Sequence, residues 1–326
     1  MEYLLEIKHL TTVFPAGGRV LKAVDDVSFS LTKGEVFCLV GESGCGKSMT
    51  ALSILGLVPP PGMVTGGQVL FRGRDLRTMG AEELRLIRGD RISMVFQEPM
   101  SALNPVFTVG EQVAEVLRVH RSVTREQAME RVVELLGEVG IPDPDRRSGE
   151  YPHQMSGGMQ QRALIAMAMA CEPELLIADE PTTALDVTVQ AQILRLMERL
   201  IRGKDRSLLL ITHDLGIVAE VADRVCVMYA GAVVESSPVK ELFAYPQHPY
   251  TLGLMASLPS PERRKFTPIT GMVPDLADLP GGCRFHPRCQ RAREVCVREE
   301  PELVFTGKRA VRCYFPGKGT EEEEKR

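Results

Sequence analysis

The chain has 326 residues, 44% of them hydrophobic and 25% charged, with a formal net charge of -4 at pH 7. Those proportions describe a globular protein with room for one large domain and an appendage, and the acidic balance excludes a basic footprint for nucleic acid. The most apolar stretch, 163–178, is broken by Glu172, Pro173 and Glu174, and the start MEYLLEIKHL lacks a basic flank, so neither a spanning helix nor a signal peptide is expected and the chain reads as cytoplasmic.

Residues 4–36 alternate short apolar stretches with turn signals at Pro15, Gly17, Gly18 and Gly34, which predicts a lobe of short edge strands. A buried strand at 36–40 leads into the glycine-rich turn GESGCGKS at 41–48 and then a helix-compatible segment over 48–56. Farther on, Val109, Val113, Val116 and Leu117 recur at helical spacing, as do Ala128, Val132, Leu135 and Leu136. This pattern predicts a helical insertion over about 99–165. Buried strands at 175–178 and 208–212 enclose an amphipathic helix over 187–202, the alternation of a parallel α/β sheet. After Tyr250 come Pro259, Pro261, Pro268, Pro274 and Pro280, with a basic run at 263–265. Long elements are not expected there, which sets a domain 1–256 and an extension 257–326 ending in a disordered acidic tail.

The turn at 41–48 fits the P-loop pattern, in which glycines let backbone N–H groups face phosphate oxygens at a helix N-terminus. On that reading Gly41, Ser43, Gly44, Cys45, Gly46, Lys47, Ser48 and Met49 surround a nucleotide. Lys47 reaches the β and γ phosphates and Ser48 binds Mg2+; an ordinary glycine turn is the alternative. The strand at 175–178 runs into Asp179 and Glu180. Two adjacent acids can divide the labour, Asp179 ordering the magnesium shell and Glu180 polarising the attacking water. Taken alone, they read better as a pair of solvated acids before Pro181; paired with the P-loop, that reading loses.

Residues 155–162, MSGGMQQR, resemble the signature of ABC ATPases. Locally, Ser156, Gly157 and Gly158 precede a helical run at 159–170, which is an anion-binding terminus or a serine-capped core helix. The resemblance implies that Ser156, Gly157, Gly158 and Gln160 meet the γ phosphate of ATP held by a partner subunit, in a head-to-tail dimer. It also assigns Gln97 in MVFQEP to magnesium and water, and His213 in ITHDL to the γ phosphate. Ala184, Leu185 and Asp186 match the loop that lies across the dimer interface, and Phe14 the ring against adenine. The implied fold is α/β: a P-loop NTPase core of RecA-like type with an antiparallel β lobe and a helical subdomain. Met155 and Met159 depart from the general signature and, with Met167 and Met169, read as pliable packing.

NPVFTVGEQV, QHPYTLGLMASLP and the late GCRFHPRC are similar to the dipeptide and oligopeptide importer ATPases. That branch implies ATP hydrolysis at the cytoplasmic face of the cell membrane. It further implies a heterodimer with a second ATPase, two membrane permease subunits and, indirectly, an extracytoplasmic solute-binding protein. Relatives carry nickel or short oligosaccharides, so the solute stays open. A soluble ABC ATPase working on nucleic acid is the rival class, opposed by the acidic balance and the single ATPase domain. A regulatory subunit with little catalysis is opposed by Lys47, Glu180, His213 and the intact SGG.

Cys283, Cys289, Cys296 and Cys313 are separated by five, six and sixteen residues. These gaps match neither a zinc ribbon nor the bacterial ferredoxin run, so spacing alone does not choose a metal. The importer resemblance implies a structural [4Fe-4S] cluster on these four, with zinc next and reduced thiols last; His286 is expected to be a bystander.

Overall fold

The computed structural model describes residues 3–98, 102–183, 185–257 and 269–317. They form two compact units, one built from 1–32, 36–77 and 211–326, the other from 33–35 and 78–210.

In the first unit, Tyr3–Ala16 and Arg19–Thr32 form one antiparallel hairpin around Gly17 and Gly18, whose φ values of 56° and 80° suit a two-residue turn. Each strand runs 14 residues, longer than the short strands expected. The alternation breaks because the pairing shifts register between Ile7 and Leu10 and again between Leu10 and Thr12. His9 and Asp26 adopt positive φ in those stretches, and a bulge restarts the inward face one residue out of phase. Met63–Phe71 pairs with the other edge of Tyr3–Ala16, and Arg74–Asp75 completes the sheet.

A second sheet in this unit begins with Val36–Val40, every residue of which is buried, as befits a strand covered on both faces. It lies parallel to Arg224–Tyr229, after which Ala232–Pro238, Arg309–Val311 and Val304–Thr306 follow antiparallel. The last two strands belong to the C-terminal extension. Glu235 and Ser236 pair with Val311 and Ala310 across the expected 256/257 boundary. The extension carries strands and short helices as well as loops. Buried Glu235 accepts the N–H groups of Gln247 and His248, both at 2.8 Å, and His248 caps the helix Pro249–Ala256.

In the second unit, Ile92–Val95 lies parallel to Leu175–Asp179, with 207–210 on the other side. Helices Val109–His120 and Arg125–Glu138 pack on each other, started by Thr108 and by a Thr124–Gln127 capping box. Helices Gly157–Met169 and Val187–Ile201 complete the unit. The strands at 92–95 and 175–179 cluster with these helices. Among the described residues no helix is long and apolar enough to cross a membrane. The expected acidic tail falls on 320–326 and the basic run on 263–265, both outside the described residues.

Candidate active site

The glycine-rich turn follows the buried strand Val36–Val40 and opens the helix Lys47–Ile54. Close approach makes two of its glycines obligatory. A Cβ on Gly41 would lie 2.3 Å from the Met228 carbonyl oxygen, and one on Gly46, at φ 102°, 2.3 Å from that of Ala23. Lys47 is only 4% exposed. Its ammonium donates to the carbonyls of Gly41 at 2.8 Å and Glu42 at 3.0 Å, inside the loop it belongs to. Ser43 and Gly44 are exposed, and Ser48 and Met49 half-buried in the first helical turn. Cys45 is buried, and burial pushes its thiol up. What it offers a nucleotide is therefore backbone, not the side chain.

Phe14 is half-buried near the hairpin end of its strand, its ring lying over Gly62, where a Cβ would stand 2.5 Å from two ring carbons. His213 is exposed just beyond the strand Ser207–Thr212. The next residue, Asp214, starts the following helix, its carboxylate accepting from Gly216 N–H at 2.7 Å and Ile217 N–H at 3.4 Å.

In the other unit, Asp179 ends the strand Leu175–Asp179 at 5% exposure. Glu180 follows at φ 43°, directly before Pro181. A non-glycine residue in that conformation costs about 1–3 kcal/mol, and such strain concentrates where a side chain must be aimed. The Glu180 carboxylate accepts from Gln97 Nε2 at 3.5 Å and from Thr183 Oγ1 at 3.0 Å. Gln97 and Glu180 were both expected at the site and come together. Thr183 was not, although a hydroxyl three residues past the acid is a usable signal.

Ser156 caps the helix Gly157–Met169 by accepting the Met159 N–H at 3.4 Å. Gly158 faces Val189, with a hypothetical Cβ 3.0 Å from its Cγ1, and Gly157 faces Leu185 at 3.8 Å. Asp186 caps the next helix, taking the Val189 N–H at 3.0 Å. The signature and the 185–189 segment thus share one surface, on which Ser156, Gly157, Asp186 and Val187 are exposed. Ala184 lies outside the described residues. Gln160 departs from expectation: it is buried, and its amide donates to the carbonyls of Pro152 at 2.7 Å and Met155 at 3.2 Å. It holds the segment leading into the signature instead of facing outward. Met155 and Met169 are buried, as packing residues should be.

Cys283, Cys289, Cys296 and Cys313 line one small cavity of about 10 Å³, with His286, Tyr314 and Phe315 on its wall. Burial raises the thiols of Cys283 and Cys289 and pushes Cys313 up to about 11, with the three other sulfurs adding to the last. The N–H groups of Arg291 and Phe315 point at the sulfurs of Cys289 and Cys313, each at 3.4 Å. Even so, among the described residues no group of three or more His, Cys, Asp or Glu side chains is arranged to hold a metal ion. The metal-binding extension expected from the sequence is to that extent not found.

Comparison with known proteins adds an independent line. The family described as "ABC transporter" matches residues 24–183, and "Oligopeptide/dipeptide transporter, C-terminal region" matches 234–296. The chain is 51% identical to the dipeptide transport ATP-binding protein DppD of Bacillus subtilis, over 97% of this chain and 95% of that protein. It is 48% identical to DppD of Haemophilus influenzae, over 96% of each. Among solved structures it is similar to a dimeric ATP-binding cassette, MJ0796, in a post-hydrolysis state bound to ADP and Pi. There the TM-score is 0.66 and the identity 28%, over 72% of this chain and 98% of that one. The chain therefore belongs to the ABC transporter ATP-binding subunits, in the dipeptide and oligopeptide importer family.

Proposed function

We propose that this chain hydrolyses ATP to power the uptake of dipeptides or oligopeptides through separate membrane permease subunits. The observation that carries the hydrolytic step is Glu180, held in a strained backbone conformation with its carboxylate fixed by Gln97 and Thr183. Such a carboxylate can take a proton from water as the water attacks the γ phosphate. Lys47 binds the β and γ phosphates, Phe14 packs on adenine, and His213 contacts the γ phosphate. Ser48, Asp179 and Gln97 would hold magnesium, which would supply positive charge to neutralise the phosphates. Ser156, Gly157 and Gly158 close on the ATP of a second, non-identical ATPase subunit, with Leu185 and Asp186 across the same interface. Peptide as the cargo is supported by the relatives named for dipeptide transport. The place of action is the cytoplasmic face of the membrane, served from outside by a solute-binding protein.

The four late cysteines suit a structural [4Fe-4S] cluster in donor chemistry, since four thiols share one cavity wall and two sulfurs receive backbone N–H groups. When bound, the cluster would crosslink the extension in place of a hydrophobic core. Iron and sulfide analysis on protein purified without oxygen tests this: about four irons per chain supports it, and iron-free protein refutes it.

The whole reading is tested by reconstituting the chain with its partner ATPase and the membrane permease subunits in lipid vesicles. Peptide-stimulated ATP hydrolysis and peptide accumulation, both lost in Lys47→Ala, are expected. Hydrolysis that nickel or an oligosaccharide stimulates and peptide does not would overturn the cargo.

A further inference from the structure

The second residue of the glycine-rich turn, Glu42, is held from far along the chain. Its carboxylate receives a two-pronged grip from Arg288, Nη1 to Oε2 at 2.7 Å and Nη2 to Oε1 at 3.1 Å. Its N–H donates to the Tyr250 hydroxyl at 2.9 Å, and its carbonyl accepts from Lys47. Arg288 is 8% exposed. Beyond Glu42 it donates to the Tyr229 hydroxyl at 3.4 Å and, through Nε, to the Thr270 carbonyl at 3.1 Å. Burying a guanidinium is unfavourable unless a carboxylate meets it in good geometry, so the pair stands or falls together.

A second arginine in the same segment holds the backbone beside the other end of the loop. Arg284 donates to the Ala230 carbonyl at 2.7 Å and pairs with Asp25. The adjacent Gly231 N–H donates to the Cys45 carbonyl at 3.0 Å. The stretch between Cys283 and Cys289 is thereby tied to the glycine-rich turn directly at Glu42 and, through Ala230 and Gly231, indirectly at Cys45.

Glu42 places a negative charge in a loop whose ligand is a polyphosphate. Unpaired, that charge repels the ligand; gripped by Arg288, it is neutralised and turned to a fixed direction. The geometry points to Arg288 as a positioning residue of the phosphate-binding loop, acting through Glu42. This rests on the loop being the ATP cradle and holds whatever the neighbouring thiols carry.

The test titrates the full-length chain with a fluorescent ATP analogue and magnesium, and measures hydrolysis alongside. Arg288→Ala is expected to raise the Kd and the KM for ATP by about tenfold with kcat little changed. Adding Glu42→Gln to that variant removes the stranded charge and is expected to recover most of the affinity, which a purely structural arginine would not allow. A folded Arg288→Ala protein with wild-type Kd, or a double variant no better than the single, overturns the assignment. Should Arg288→Ala not fold, Arg288→Lys keeps the charge and loses the fork. A several-fold weaker Kd is then expected, and an unchanged one overturns the assignment. Lys47→Ala separates the two levels, because wild-type binding in that variant would remove the ATP-cradle reading itself.

Discussion

Gln97 donates to the same Glu180 carboxylate oxygen, Oε2, that Thr183 holds at 3.0 Å, so the acid carries a fixed orientation before any substrate arrives. Glu180→Gln keeps the shape and removes the base. Hydrolysis is expected to fall by at least about a hundredfold while ATP affinity stays near wild type, measured by phosphate release and nucleotide titration. Glu180→Gly is expected to be equally inactive yet more stable by about 1 kcal/mol, since glycine adopts φ 43° without strain. Undiminished hydrolysis in both variants would place the base elsewhere.

The two signature glycines have different neighbours. Gly157→Ala puts a methyl group at ordinary contact distance from Leu185, so thermal stability is expected to hold or rise with the better helix former. Gly158→Ala presses on Val189 at 3.0 Å and is expected to gain less, a difference that Val189→Ala should erase. Both variants are expected to lose most ATP hydrolysis while still binding ATP, because on the proposed reading the methyl groups stand on the surface that closes on the partner's nucleotide. Full hydrolysis in Gly157→Ala would remove the signature from the mechanism.

Gly46 has no room to give. An added Cβ would sit 2.3 Å from the Ala23 carbonyl oxygen at a φ of 102°. Gly46→Ala should therefore shift the loop, lower the melting temperature and weaken ATP binding by at least about tenfold. Gly44→Ala, which meets nothing within 4 Å, should lose less on both measures.

Buried His248 predicts a pH effect. Its Nδ1 accepts the Tyr250 N–H at 3.1 Å, and burial lowers its pKa from 6.5 to about 3. The unfolded chain then binds a proton below pH 6.5 that the folded chain refuses. Stability is unaffected above 6.5 and falls as pH drops from there toward 3, by about 1.4 kcal/mol per unit. His248→Asn can still cap the helix and should flatten that limb, comparing urea unfolding at pH 5 and pH 7. Glu235 works in the opposite sense: burial holds its carboxyl above the ordinary 4.5, so its ionisation costs stability as pH rises. An identical slope in the variant would mean His248 does not carry the effect.

What could be read from the sequence was local. The glycine-rich turn, the Asp179–Glu180 pair and the capped signature helix are each written within a few consecutive residues, and their periodicities survive in the structure. The hairpin strands were underestimated because register shifts scramble the period-two pattern around His9. Gln160 was assigned outward because nothing in MSGGMQQR says that the carbonyls of Pro152 and Met155 will turn toward it. The boundary at 257 was drawn from proline content, whereas the pairing of Glu235 with Val311 depends on partners 76 residues apart in the numbering.

That late pairing also governs how the protein can be cut. Removing everything after residue 303 would uncover the backbone edge at 234–236 of the strand Ala232–Pro238, whose side chains are almost all buried. A bare strand of that kind recruits other chains. Shortened versions meant to isolate the ATPase should then precipitate as misassembled multimers, so the C-terminal strands serve as the molecule's own guard against self-association.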